Sequence, residues 1–126
     1  MLKMIKFKSL NRSKEFIKIL KKKKINTKYF IIYFSKNSKN SDKSLNKYLN
    51  ISFVMRKNIG NAITRNKIKR KLKSAVQKTY KEKQLIDLNY TYVIFGRNNV
   101  YKDKFALVLA EVNATFKKIK LMSNQL

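Results

Sequence analysis

An α+β sandwich is the architecture expected of this chain, and three features of its 126 residues lead there. Runs of β-branched and aromatic residues, "KYFIIYFS" at 28–35, "ISFVMR" at 51–56 and "YTYVIFG" at 90–96, are too short for helices and rich in strand formers. Apolar residues at helical spacing mark three amphipathic segments around them. The resulting order is helix, strands, helix, strand, helix, which sets helices against a sheet without strict alternation. A hydrophobic fraction of 44% over this length supports one core, so residues 1–126 are expected to form a single domain.

Residues 13–24, "SKEFIKILKKKK", open the series. Phe16, Ile17, Ile19 and Leu20 form one helical stripe behind a Ser13 N-cap, and the basic tail suits the negative end of the helix dipole. The strand at 28–35 places Tyr29, Ile31 and Tyr33 on one face and Phe30, Ile32 and Phe34 on the other. Both faces are apolar, as in a central strand covered on each side. Residues 35–50, "SKNSKNSDKSLNKYLN", are polar and rich in Ser and Asn, and are expected to form a long mobile loop. The strand at 51–56 sets Ile51, Phe53 and Met55 against Ser52, Val54 and Arg56. In the next helix Ile68, Leu72, Ala75, Val76 and Thr79 fall within about a 100° arc, a core-facing stripe. Asn66, Arg70, Lys73 and Gln77 form an opposite polar ridge flanked by Lys67 and Lys69. The strand at 90–96 closes on Gly96, and residues 102–121 make a last amphipathic helix through Phe105, Leu109, Val112, Phe116 and Ile119.

Charge narrows the choice of partner. Lys and Arg number 32 against six acids, a formal net charge of +26. Such self-repulsion is relieved by a polyanion, whose condensed counterions the cations displace, so nucleic acid is the first candidate. A membrane surface is the other common polyanion. The longest apolar run, Tyr29–Phe34, is far short of the roughly twenty residues of a spanning helix, and the N-terminal "MLKMIKFKSLNRSKEF" has no secretory apolar core. The apolar stripes are needed for the core, which leaves no insertion face for a peripheral membrane binder. A cytoplasmic protein is expected.

Cys and His are absent, so neither a thiolate nor an imidazole is available. The acids Glu15, Asp42, Glu82, Asp87, Asp103 and Glu111 are scattered, with no pair close in sequence. A self-sufficient nuclease normally uses His or clustered carboxylates. No catalytic residue and no metal ligand is therefore assigned.

Only two glycines occur, and no proline. One of them, Gly60, stands where the chain turns from the strand ending at Arg56 into a helix starting near Ala62 or Ile63, with Asn61 placed to cap it. Taken alone, this is an ordinary turn followed by a solvated basic face.

The longer string "KNIGNAITRNKIKRKLK", 57–73, resembles the signature of the bacterial ribonuclease P protein subunit, GNA-x-x-RN-x-IKR with a further basic residue three places on. Gly60, Asn61, Ala62, Arg65, Asn66, Ile68, Lys69 and Arg70 match it. The likeness extends to Phe16, "YFIIYF", "ISFVM" and "YVIFGR", over about residues 9–120. It implies an αβββαβα two-layer sandwich similar to the second domain of ribosomal protein S5, with a left-handed β-α-β crossover through the motif helix, against the usual hand. It further implies an accessory subunit that binds the catalytic RNA and the 5′ leader of precursor tRNA, with no membrane partner. Mg²⁺, held mainly by the RNA subunit and substrate, would support removal of the leader by that RNA.

By the same resemblance, Lys57, Asn61, Arg65, Asn66, Lys67, Lys69, Arg70 and Lys73 contact RNA. Lys67 and Lys73 stand where arginine is usual, keeping the charge but not the bidentate fork. Phe16, Leu20, Tyr29, Ile31, Tyr33 and Arg56 correspond to the cleft for the leader, with Leu20 in place of a frequent aromatic. Plain core packing is the competing role for the apolar members. The alternative function, a ribosomal or other structural RNA-binding protein without a processing role, accounts for the charge but leaves the 57–73 string to coincidence.

Overall fold

The computed structural model describes residues 5–10, 13–37, 48–83 and 85–123. Its elements are β1 (Lys6–Lys8), α1 (Ser13–Leu20), β2 (Lys23–Asn26), β3 (Phe30–Lys36), β4 (Tyr48–Val54), a 3-10 turn (Lys57–Ile59), α2 (Ala62–Lys83), β5 (Tyr90–Gly96), α3 (Asn99–Lys102) and α4 (Phe105–Ser123). One five-stranded sheet runs in the order β1-β4-β5-β3-β2. β3 lies antiparallel to β2 and β5, while β4 is parallel to both β5 and β1. From α1 to α4 this is the αβββαβα order, with β1 added in front and the short α3 inserted before the last helix.

Alternation along the strands divides the side chains between two layers. Phe30, Ile32 and Phe34 of β3 share one face with Leu49 and Ile51 of β4 and with Tyr90, Tyr92 and Ile94 of β5. That face is covered by Ile68, Leu72, Ala75 and Val76 of α2 and by Val108, Val112, Phe116 and Ile119 of α4. The five residues of the expected α2 stripe, Thr79 included, are all 0% exposed, which fixes the helix rotation. Thr79 meets the apolar layer by donating to Asn113 Oδ1 of α4 at 2.6 Å. The other face carries Ile31 and Tyr33 of β3 and Val93 and Phe95 of β5, and α1 packs there against β2 and β3.

At Gly96 the sheet and α2 approach closely. A Cβ at that position would stand 2.6 Å from Met55 Sδ, 3.0 Å from Ile68 Cγ2 and 3.1 Å from Leu72 Cδ1. The missing side chain lets α2 lie directly on the end of β5.

Several expected boundaries move. The first helix stops at Leu20 rather than running to residue 24, because the apolar spacing ends there. Lys21 and Lys22 N–H groups donate to the Lys18 and Ile19 carbonyls and close the last turn. Residues 23–26 then pair with β3, from Lys23 opposite Phe34 to Asn26 opposite Ile31, as an edge strand whose lysines discourage further pairing. β4 begins at Tyr48 rather than Ile51 and ends at Val54. Of the expected 35–50 loop, residues 38–47 lie outside the described residues; Ser35 and Lys36 belong to β3, and Tyr48–Asn50 to β4. The last helical segment breaks at Asp103–Lys104 into α3 and α4. Gln77 is drawn off the outer ridge of α2. Its amide donates to the Ile5 carbonyl at 2.5 Å and accepts from the Ile5 N–H at 3.2 Å, docking the chain ahead of β1.

Candidate nucleic-acid interface

After β1, Leu10 lies against the second face of the sheet, where its N–H donates to Ser52 Oγ at 2.9 Å. On this face Phe16 of α1 reaches Phe95, with ring centroids 6.3 Å apart. Phe95 also meets the edge of Tyr33 at 5.7 Å and 66°, and the Arg56 guanidinium lies 5.3 Å from its ring centroid. Phe16, Leu20, Ile31 and Tyr33 are half-buried and Arg56 is exposed, so all five can be reached from solvent. Beside them a cleft of about 330 Å³ is lined by Ile31, Phe95 and Arg56 and rimmed by Asn58 and residues 97–99. Aromatic floor and cationic rim together match the requirements of single-stranded nucleic acid, in which bases stack and phosphates seek positive charge.

Phe95 is the residue that sequence reasoning missed. Its signal was present: in "YTYVIFG" the alternation sets Thr91, Val93 and Phe95 on the face opposite Tyr92 and Ile94, and Tyr33 is the matching aromatic on β3.

Tyr29 does not join this group. It is 5% exposed within the core layer, and its hydroxyl donates to Asp103 Oδ2 at 2.5 Å. The chain bends at 28–29 before β3 begins, so the strand alternation that would align Tyr29 with Ile31 and Tyr33 does not extend to it. The bond to the Asp103 carboxylate, with burial adding to it, pushes the Tyr29 hydroxyl up to about 12. The same bond, together with Lys28 at 3.3 Å, holds Asp103 below its usual 3.8 in spite of partial desolvation. Lys71 Nζ of α2 donates to the Asp103 carbonyl, so this cluster also positions the motif helix.

The lowered carboxyl contributes stability that is present above pH 3.8 and lost as pH falls through its folded value. The raised hydroxyl contributes below pH 10, and that is lost as pH rises toward about 12. Tyr29→Phe is therefore expected to lower the melting temperature near neutral pH, with the deficit shrinking on acidification. A deficit that stays constant across thermal melts from pH 7 down to pH 2 would show that the ionised carboxylate is not its source.

Between the cleft and α2 lies the turn that contains Gly60. Gly60 has φ 107° and ψ −167°, a region open essentially to glycine alone. Asn61 Oδ1 accepts from the Thr64 N–H at 2.9 Å, the expected N-cap. Arg65 folds back over this turn, and its Nη1 donates to the Gly60 carbonyl at 2.6 Å and the Lys57 carbonyl at 3.2 Å. Arg65 and Asn61 thus brace the junction, while Lys57, Asn66, Lys67 and Arg70 are exposed and Lys69 and Lys73 half-buried along the flank of α2. Lys67 Nζ sits 5.8 Å from the Tyr101 ring centroid and Lys73 Nζ 5.9 Å from that of Phe53. Both lysines rest on aromatic rings that direct their ammonium groups along the helix surface. The basic helix and the aromatic cleft are therefore joined by a single braced turn.

Among the described residues no three His, Cys, Asp or Glu are grouped to hold a metal ion, and no helix is long and apolar enough to cross a membrane.

The family model described as Ribonuclease P matches residues 4–120. The ribonuclease P protein component of Mesoplasma florum is 33% identical over 107 residues, 84% of this chain and 89% of that protein. That of Mycoplasma mycoides is 32% identical over 112 residues, 88% and 94% of the two chains. Among solved structures, the RNase P protein from Thermotoga maritima superposes with a TM-score of 0.69 at 22% identity, covering 88% of this chain and 96% of its own. The Staphylococcus aureus RNase P protein does so with a TM-score of 0.60 at 20% identity, covering 88% and 93%. Those two establish the shared fold. With the family model spanning the sheet, the cleft and the motif helix alike, the chain belongs to the Ribonuclease P family.

Proposed function

We propose that this chain is the RNA-positioning subunit of a ribonucleoprotein that removes the 5′ leader of precursor tRNA in the cytoplasm. The basic flank of α2 binds the catalytic RNA, and the cleft of Ile31, Arg56 and Phe95, with Phe16, Leu20 and Tyr33 beside it, holds the unpaired leader. The observation that carries the reading is the join between them. The turn at 56–61 sets the aromatic cleft beside the basic helix, an arrangement that lets one protein set the distance between catalyst and substrate.

Hydrolysis is assigned to the RNA. Among the described residues no three acids are grouped to hold Mg²⁺, and no step is routed through a protein-bound ion. The ions that support phosphoryl chemistry would be held by the RNA subunit and the substrate. What the protein supplies is charge, an apolar shelf and orientation.

Reconstitution tests this directly. Addition of the protein to a catalytic RNA subunit at low Mg²⁺ is expected to raise precursor tRNA cleavage, and protein proved free of RNA is expected to cleave none. Absence of stimulation sinks the proposal. Affinity for the catalytic RNA should also fall steeply with salt. Lys69→Ala and Arg70→Ala are each expected to weaken it and to flatten the log–log salt slope by about one unit. Unchanged slopes would mean that the two side chains face solvent in the complex.

A further inference from the structure

The end of the sheet remote from Gly60 holds a second cavity that the function above does not use. It is about 410 Å³, within the range of small-ligand sites, and is larger than the cleft beside Arg56. Opposite strand ends separate the two: Phe30 pairs with Gly96 near the motif helix, whereas Lys36 pairs with Tyr90 at the far end, about 20 Å along β3. The cavity floor is made by half-buried Met122 near the end of α4, lying over Phe34 and Tyr90, which are 3% and 7% exposed with ring centroids 6.3 Å apart.

Its rim is made of lysines. Lys21, Lys22 and Lys23 come from the turn that ends α1 and opens β2, and Lys36 faces them from the end of β3. Among the described residues no carboxylate lines the cavity, and none of these four ammonium groups is in an ion pair. Like charges gathered at one mouth repel, and a polyanion relieves that repulsion. Duplex nucleic acid would satisfy the lysines but leave the apolar floor unused. An unpaired nucleotide satisfies both, with its base against the polarizable Met122 thioether and the ring edges beneath it and its phosphates among the ammonium groups.

We propose that this cavity is a second nucleic-acid site, taking an unpaired nucleotide of RNA with its base on Met122 above Phe34 and Tyr90 and its flanking phosphates on Lys21, Lys22, Lys23 and Lys36. The protein then grips RNA at both ends of its sheet, and the +26 charge is distributed to serve two contacts rather than one.

The natural chain has no cysteine, so a single introduced thiol can carry an iron chelate that cuts nearby RNA by hydroxyl radicals. Lys22→Cys, Lys36→Cys and Lys73→Cys are labelled separately and assembled with the catalytic RNA and precursor tRNA. The probes at 22 and 36 are expected to cut one common stretch of unpaired RNA that the probe at 73 leaves intact. Cutting from 73 with silence from 22 and 36 would overturn this site while leaving the proposed function standing; silence from all three would overturn both. A second measurement separates contact from overall charge. The double variant Lys22→Gln/Lys36→Gln is expected to lose about tenfold in affinity for the catalytic RNA bound to precursor tRNA. The exposed pair Lys117→Gln/Lys118→Gln removes the same charge from α4 and should lose far less. Equal losses in the two double variants would also overturn the site.

Discussion

A holoenzyme carrying Tyr33→Ala is expected to bind precursor tRNA more weakly by about 1–3 kcal/mol, the worth of one stacked base, while its affinity for mature tRNA stays nearly constant. At roughly tenfold per 1.4 kcal/mol, the loss runs from several-fold to over a hundredfold. The asymmetry follows from geometry. Tyr33 is half-buried on the sheet face beneath α1, meets Phe95 edge-on at 5.7 Å, and has Lys24 Nζ 6.0 Å from its ring centroid. A base added there would gain an aromatic face and a nearby cation together, and only RNA with a leader has such a base to offer. Tyr33 is a cleaner test than Phe16, whose contact with Phe95 also helps hold the short α1 on the sheet. A thermal melt with saturating sulfate, which screens the +26 charge, checks that the variant is folded. Equal weakening for both RNAs with the fold intact would reduce Tyr33 to a packing residue.

Gly96→Ala is expected to destabilise the domain by about 1–3 kcal/mol, the usual cost of overpacking a filled interior. One methyl group there would meet Met55 Sδ at 2.6 Å and two branched side chains of α2 at 3.0 and 3.1 Å. Met55 can swing aside, being flexible and half-buried. Ile68 and Leu72 cannot, since both are 0% exposed, so relief must come from shifting α2 itself. The variant should therefore show a lowered melting temperature together with weaker binding to the catalytic RNA, even when sulfate keeps it folded. Stability lost with RNA affinity unchanged would show that the helix tolerates the methyl group in place.

Much of this could be read along the chain because the relevant forces are local. Periodicity at 3.6 residues selected Ile68, Leu72, Ala75, Val76 and Thr79, and all five are buried, since a helix that packs on one layer can bury only one stripe. The bounds of β5, the cap at Asn61 and the turn at Gly60 were equally legible, because each depends on a few adjacent residues. Short or edge elements were not. β1 and β2 carry three and four residues, mostly lysine, and exist because neighbouring strands offer them hydrogen bonds.

The chemistry divides in the same way. Sequence alone made a polyanion the first candidate partner and set the motif on a helix, because charge and spacing add up along a chain. Tertiary structure decided which aromatics meet. It brought Phe95 of one strand to Tyr33 of another and Phe16 of a helix, and it withdrew Tyr29 into the core toward Asp103, 74 residues away. It also turned Arg65 back onto the carbonyls of Lys57 and Gly60 and rolled Gln77 toward Ile5. Such pairings are set by sheet order and by the bend before β3, and contacts between distant residues leave no periodic trace in the sequence that makes them.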